Sequence, residues 1–336
     1  MLPPMSSPPG PLPPVDPQIT LADWLREHYW QRRSPRWSPG TIEFRDWTMR
    51  CCLIPDLGHR PIVDLSVAEL ERWIGWRAIT PFQHSGRIPK HATLKAVLNT
   101  LSAALRMARL DGLIPMNPAK GISLPRDIAD PPTVWSPDQV QAFLDATART
   151  RYALLWRLLF ATGMRRGEAL GLRWSDLNEQ RSTVSIRRSL NSRSRDGDLL
   201  YGPPKNRTSR RTITLDAGTL EKLLAWRAKQ HREFTQRNRI QSTEDPIFTT
   251  HRGTPMLPGT VSDAWRAAVA RTGLPRMRLH DIRHTHLSHL LRSGEPIMHV
   301  AARAGHGTPY QTLTTYAHVI PGDDERTARR AGEMFE

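Results

Sequence analysis

The sequence predicts a mainly α-helical protein in two parts: a helical bundle, then a mixed α/β, mostly helical domain carrying a small antiparallel sheet. Three observations predict it. Apolar residues recur at helical spacing through much of residues 18–112. A proline-punctuated stretch, "IPMNPAKGISLPRDIADPPTVW", then interrupts both helix and sheet and marks a linker over 113–135. Beyond it only "STVSIRRSL" (182–190) and "RRTITL" (210–215) alternate apolar and polar residues as strands do. A chain of 336 residues suffices for two domains with cores of their own.

The opening "MLPPMSSPPGPLPPVDP" holds eight prolines in seventeen residues, without a basic segment followed by an apolar one. It is expected to be a disordered or polyproline tail over 1–17 rather than a signal peptide. The first domain, 18–112, opens with helices expected around Leu21–Gln31 and Thr41–Leu53. In "LSVAELERWIGWR", Ser66 and Glu69 stand at capping-box spacing, and Leu70, Trp73 and Ile74 share a face. "HATLKAVLNTLSAALRMARLDG" places Leu94, Leu98, Leu101, Leu105 and Ala108 in one stripe, with Gly112 able to end the helix. The second domain, 136–320, starts at a further capping box, Ser136 and Gln139, with Pro137 at the first helical position. A short terminal helix is expected over 321–336.

Charge narrows the partner. Forty-eight Lys and Arg against 32 Asp and Glu leave +16, a balance that favours a polyanion such as nucleic acid. Residues 187–211 alone carry eight basic and two acidic side chains, 8 − 2 = +6, around a "PPKN" turn able to present Lys205 to a phosphate. No apolar run approaches the roughly 18 residues of a membrane span. The two cysteines, Cys51 and Cys52, are adjacent and cannot staple the fold; a cytoplasmic, nucleoid-associated protein is expected.

The chemistry concentrates in "LHDIRHTHLSHLL" (279–291). His280 and His284 lie one helical turn apart with an acid after the first, the outline of a zinc-protease helix. The acid is Asp281, one methylene short, and Arg283 puts a fixed positive charge inside the repeat, so a metal site is not expected. His280 and Arg283 instead form a phosphate clamp. In "LLFATGMRRGEALGLRWSDL" a helix runs to Gly163 and restarts near Arg166, which leaves Arg165 at the junction, with Glu168 one turn on to orient it. In "AARAGHGTPYQTLTTYAHV", Gly305 ends one helix and Thr308-Pro309 begins another, with Gln311 at capping-box spacing. His306 is held between them, and Tyr316 follows two turns later. Tyr310, in the first turn, is expected to pack or face solvent.

Taken in order, "TGMR", "PPKN", "HDIR", "AGH" and "TTYAH" resemble the motifs of the tyrosine recombinase (phage integrase) family, over roughly 135–320. The resemblance implies a core-binding domain (SAM-like) in the first helical bundle and a C-shaped clamp of two domains around double-stranded DNA. It implies site-specific cleavage and rejoining through a 3′-phosphotyrosyl link to Tyr316, without metal, ATP or other cofactor. Arg165, Arg283 and His306 would bind the phosphoryl oxygens, His280 would accept the tyrosine proton, and Lys205 would protonate the leaving 5′-oxygen. Lys90, Lys95, Arg106, Arg109, Arg207 and Arg210 would bind DNA. Partners implied are two DNA sites, a homotetramer assembled on them from free monomers or dimers, and possible accessory directionality or bending factors. Residues 321–336 would dock on a neighbouring protomer. Two alternatives use the same residues: a type IB topoisomerase-like relaxase, and a non-enzymatic DNA-binding regulator on a recombinase scaffold. Ala304 departs from the leucine common before Gly-His, a packing change that leaves the chemistry alone.

Overall fold

The structure is a computed structural model that describes residues 15–83, 85–124, 132–193, 199–202, 209–317, 328–329 and 331–333. The proline tail up to residue 14, the middle of the expected linker, the "PPKN" turn and most of the expected terminal helix lie outside the described residues. Two compact units part between residues 129 and 130.

The first unit is helical: α1 (residues 21–33), α2 (Pro39–Thr48), α3 (Val67–Ile79) and α4 (His91–Leu110). α2 continues through a π-turn, Met49–Leu53, into Ile54–Leu57. Ser66 caps α3 by accepting from the Glu69 amide at 3.2 Å. The predicted stripe of α4 is buried at Leu94, Leu98, Leu101, Leu105 and Ala108. It meets Trp24, whose indole donates to the Ala104 carbonyl at 3.1 Å. The buried Arg77 pairs with Asp56, which also accepts from the Trp73 indole at 3.0 Å, so this charge lies inside the unit without being orphaned. Residues at the start of the proline-rich stretch belong to this core, with Ile114 and Ala119 buried in it.

The second unit comprises α5 (Pro137–Thr147), α6 (Ala153–Thr162), α7 (Arg166–Leu170), β1 (Leu177–Asn178), β2 (Thr183–Ile186), β3 (Ser189–Arg193), β4 (Leu199–Gly202) and β5 (Arg211–Thr214). α8 (Ala217–Thr235), α9 (Pro258–Thr272), α10 (Asp281–Arg292), α11 (Ile297–Ala304) and α12 (Pro309–Tyr316) follow. The strands make an antiparallel sheet in the order β1-β2-β5, with Val184 opposite Ile213, and a separate β3-β4 hairpin. Residues 182–190, expected as one strand, therefore divide between the two sheets. The core is aromatic: Trp135, Phe143, Trp156, Phe160 and Trp265 meet one another, and the Trp265 indole donates to the Met277 carbonyl at 2.9 Å. Trp135, at the end of the expected linker, is fully buried here.

Ser136 and Gln139 form the expected reciprocal cap. Thr308 does not: its side chain makes no cap bond, and Pro309 at the start of α12 presets the first turn instead. Gly163 closes α6 at φ +62°, a conformation costly for any residue with a Cβ. A Cβ there would also stand 2.5 Å from His286 Cδ2 of α10. Gly163→Ala is therefore expected to destabilise the protein by roughly 2–4 kcal/mol, from the left-handed backbone and the overlap together. Chemical denaturation checks this, and an unchanged midpoint would show that the α6–α10 approach is soft.

Candidate active site

The last turn of α6 is bound to the middle of α10. His286 Nδ1 lies 2.8 Å from the Phe160 carbonyl, while its Nε2 accepts from Arg303 Nε at 3.2 Å. The proton is thereby fixed on Nδ1. Burial first, then the Arg303 charge, push this imidazole down to about 3, so it stays a neutral spacer between helices. His289, next on that side, contacts the Trp135 carbonyl at 2.7 Å.

Arg283 is the junction of the site. It is 4% exposed, donating from Nη1 to the Gly163 carbonyl at 2.9 Å and from Nη2 to the Ala304 carbonyl at 2.6 Å. One guanidinium thus ties together the turn after α6, the first turn of α10 and the end of α11. Burial, then the nearby Arg165 charge, lower it to about 10, still protonated at neutral pH.

Glu168 organises the other cations. Its carboxylate, 1% exposed, accepts from Arg165 Nη1 at 2.7 Å, from the Arg165 amide at 2.9 Å and from Arg211 Nη2 at 3.0 Å. Burial would raise this acid, but the Arg211 charge and hydrogen bond, with Arg165, outweigh it and hold it below the ordinary range. Arg211 also donates to the Arg303 carbonyl at 2.7 Å. Its aliphatic stem and guanidinium lie against Gly305, where a Cβ would meet Nη1 at 2.8 Å. Gly305, at φ +68°, turns the chain so that His306 follows directly.

His306 Nδ1 is 2.6 Å from the hydroxyl of the buried Thr312. When that hydroxyl donates, the ring proton sits on Nε2, free to meet an anion. Burial, then the Arg283 and Arg165 charges, lower His306 to about 4, and burial and the His284 ring lower His280 to about 4. Both are neutral at neutral pH, and an entering phosphate would raise them.

Arg165, Arg166, His280 and Arg283 line one cavity of about 370 Å³ with Ser189 and Asn191 of β3. Arg166 is half-buried and bonded to Ser262, with its guanidinium lowered by burial. Three guanidiniums and one imidazole therefore face a single concavity suited to a phosphodiester.

Tyr316 ends α12 and is 3% exposed, against 71% for Tyr310. It is buried in a small cluster with Leu287, Leu291, Val300 and Ala304. Its hydroxyl lies 2.7 Å from His284 Nδ1, not on His280. In the protein without DNA the phenol thus meets His284, while His280, the proton acceptor expected from the sequence, lines the cavity. Standing one residue before α10 rather than inside it, His280 faces the cavity and meets His284 edge-on at 5.3 Å, whereas His284 lies a full turn on, toward α12.

Arg165, His280 and Arg283 thus share one cavity and Glu168 is bonded to Arg165, whereas His306 and Tyr316 belong to the same unit but are not among the residues that line it. Lys205 and Arg207 lie outside the described residues. Arg210 is exposed beside β5. Lys95, Arg106 and Arg109 are exposed on one face of α4, with Lys90 exposed at its start. Sequence reasoning missed His284, Arg166 and the inward role of Arg211. The spacing of His284 from His280 was visible but pointed only to a metal, and Arg211 read as one more cation of a basic turn.

A helical domain with this sheet and a buried arginine–histidine–tyrosine site defines a class, and the chain belongs to the phage integrase family, whose model matches residues 134–322. It is similar to a tyrosine recombinase XerC-like protein of Caldanaerobacter subterraneus, 26% identical over 72% of this chain and 66% of that one. The ICEBs1 integrase of Bacillus subtilis is 25% identical over 60% and 54%. The chain spans about half to two thirds of the length of these curated relatives. In fold it is similar to the Tn1549 transposon integrase in complex with transposon right end DNA, with a TM-score of 0.76 at 20% identity over 93% of this chain and 99% of that one. A lambda integrase dimer bound to a core site matches with a TM-score of 0.63 at 18% identity, over 89% and 77%.

Proposed function

We propose that this protein is a site-specific DNA recombinase that cleaves and rejoins strands through a 3′-phosphotyrosyl intermediate on Tyr316. The observation that carries it is Arg283, which lines one cationic cavity with Arg165 and His280 while its two carbonyl bonds tie together the turn after α6, the first turn of α10 and the end of α11. Tyr316 Oη attacks the phosphorus, the new O–P bond forms and the bond to the 5′-oxygen breaks. The phenolic proton leaves to a base, and the 5′-oxygen gains one from an acid, the role the resemblance gives to Lys205. One phosphodiester replaces another, so the step needs no external energy and reverses when a partner strand's 5′-hydroxyl attacks. Arg165, Arg283 and His306 stabilise the charge that builds on the phosphoryl oxygens, each such donor contributing about 3–4 kcal/mol in the transition state.

Double-stranded DNA is the proposed partner, gripped partly by Lys90, Lys95, Arg106, Arg109, Arg207 and Arg210. Assembly of four protomers on two sites is proposed by analogy with lambda integrase, which is known as a tetramer bound to a Holliday junction. Nicked duplexes from the DNA flanking the gene test the reading. The protein is expected to form a covalent adduct that Tyr316→Phe abolishes and Tyr310→Phe retains. Absence of any adduct from the unaltered protein would leave only DNA binding. Efficient relaxation of a supercoiled plasmid lacking recombination sites would favour a relaxase.

A further inference from the structure

We propose that His284 is a positioning residue for the nucleophile: its Nδ1 accepts the Tyr316 hydroxyl hydrogen bond and fixes where Oη stands relative to the arginine clamp. The inference rests on the recombinase reading above and adds a residue that reading does not use. Tyr316 comes from α12 and the clamp from α10, so a shared element must set their spacing. His284 supplies it. It immediately follows Arg283 on the first turns of α10, and that turn is pinned by the bonds of Arg283 to Gly163 and Ala304. The ring reaches across to Oη at 2.7 Å, with ring centroids 5.5 Å apart. A buried phenol needs a hydrogen-bond partner, and among the described residues His284 Nδ1 stands at bonding distance from Oη.

The direction of the bond follows from acidity. A phenol is a far stronger acid than a neutral imidazole N–H, so the hydroxyl donates, Nδ1 accepts and the ring proton sits on Nε2. His284 is suited to accept because burial, helped by the Arg283 charge, lowers it and keeps it neutral. Tyr316 is meanwhile pushed up to about 12 by burial, so it is held as an intact phenol and not discharged to His284 in the free protein. Placement of a reacting oxygen within a few tenths of an ångström is worth orders of magnitude in rate, and a single hydrogen bond from a pinned helical turn provides it.

Side-chain shapes separate this role from packing. Asparagine at 284 sets an acceptor oxygen near the place of Nδ1, glutamine sets its amide near Nε2, and alanine offers neither. With the full chain and saturating nicked duplex, His284→Ala is expected to slow adduct formation about 10- to 100-fold. His284→Asn is expected to stay within about threefold of the unaltered protein, and both should bind DNA equally well. An unimpaired His284→Ala, or a His284→Asn as slow as His284→Ala, overturns the proposal. If His284→Ala does not fold, Asn against Gln decides: equal rates overturn it. The contact is also read without DNA, since Tyr316→Phe should move the ring nitrogen resonances of His284. Unmoved resonances refute the proposal; moved resonances with no adduct from the unaltered protein would refute only the recombinase reading.

Discussion

Arg283→Ala is expected to abolish detectable adduct formation while costing stability. Two effects oppose each other in the free protein. Removing the guanidinium leaves the Gly163 and Ala304 carbonyls without a donor in the interior, at about 1–3 kcal/mol each. It also removes a buried charge. The fall of Arg283 from its ordinary value to about 10 corresponds to about 3 kcal/mol disfavouring that charge. The net loss of stability is therefore expected to be moderate, about 1–3 kcal/mol, whereas the loss in cleavage should exceed a thousandfold, because the transition-state oxygens lose a donor and the Tyr316 support loses its pin. Arg283→Lys keeps the charge but cannot span both carbonyls, so it should recover folding better than cleavage. Equal recovery of both would show that charge alone matters. Arg165 and Arg283 also repel each other across the cavity they line. Bound DNA should relieve that repulsion and raise the thermal midpoint of the unaltered protein more than that of Arg283→Ala.

The ends of elements were legible in the sequence because they are local. Ser136, Pro137 and Gln139 state a helix start within four residues, and Gly163 and Gly305 state helix ends through backbone freedom alone. The motif order was equally legible, since Arg165, His280, Arg283, His306 and Tyr316 each sit beside such a punctuation mark. What the sequence concealed is partner choice across space. Whether His280 or His284 meets Tyr316 depends on where α12 lies against α10, which no spacing within 279–291 encodes. Arg211 read as a surface cation because its neighbours in sequence are basic; its partner Glu168 is 43 residues away, and burial between them turns the side chain inward. β4 was hidden in a turn-rich stretch, since Leu199–Gly202 is too short to show alternation. Ile114 and Ala119 fall in the linker by sequence because prolines dominate the surrounding pattern, yet burial in the core of the first unit outweighs local composition.

Glu168 supplies the most demanding prediction, because it is a deeply buried acid whose value lies in the two arginines it pairs. Glu168→Ala leaves Arg165 and Arg211 without their carboxylate and is expected to cost about 3–5 kcal/mol, the usual penalty for removing one partner of a buried ion pair. Glu168→Gln keeps the shape and one acceptor oxygen, so it should cost less and isolate the charge. Its pH dependence has a definite sign. The folded carboxyl is held below its ordinary value of 4.5, so the charge contributes its full stabilisation above that value. That contribution is lost as the pH falls through the lower folded value. The stability gap between the unaltered protein and Glu168→Gln, measured by denaturant titration, should be constant from neutral pH down to about 5 and then close as the unfolded chain takes up its proton. A gap that widens on acidification would mean that burial, not Arg211 and Arg165, dominates this carboxyl. Cleavage should fall along with stability but for a different reason: with Glu168 neutral, Arg165 no longer has a charged partner aiming it into the cavity, and the Arg211 brace behind Gly305 and His306 loosens. Single-turnover cleavage by Glu168→Gln at neutral pH, under conditions where the variant is fully folded, is therefore expected to drop about 10- to 100-fold. Full activity there would reduce Glu168 to a purely structural acid.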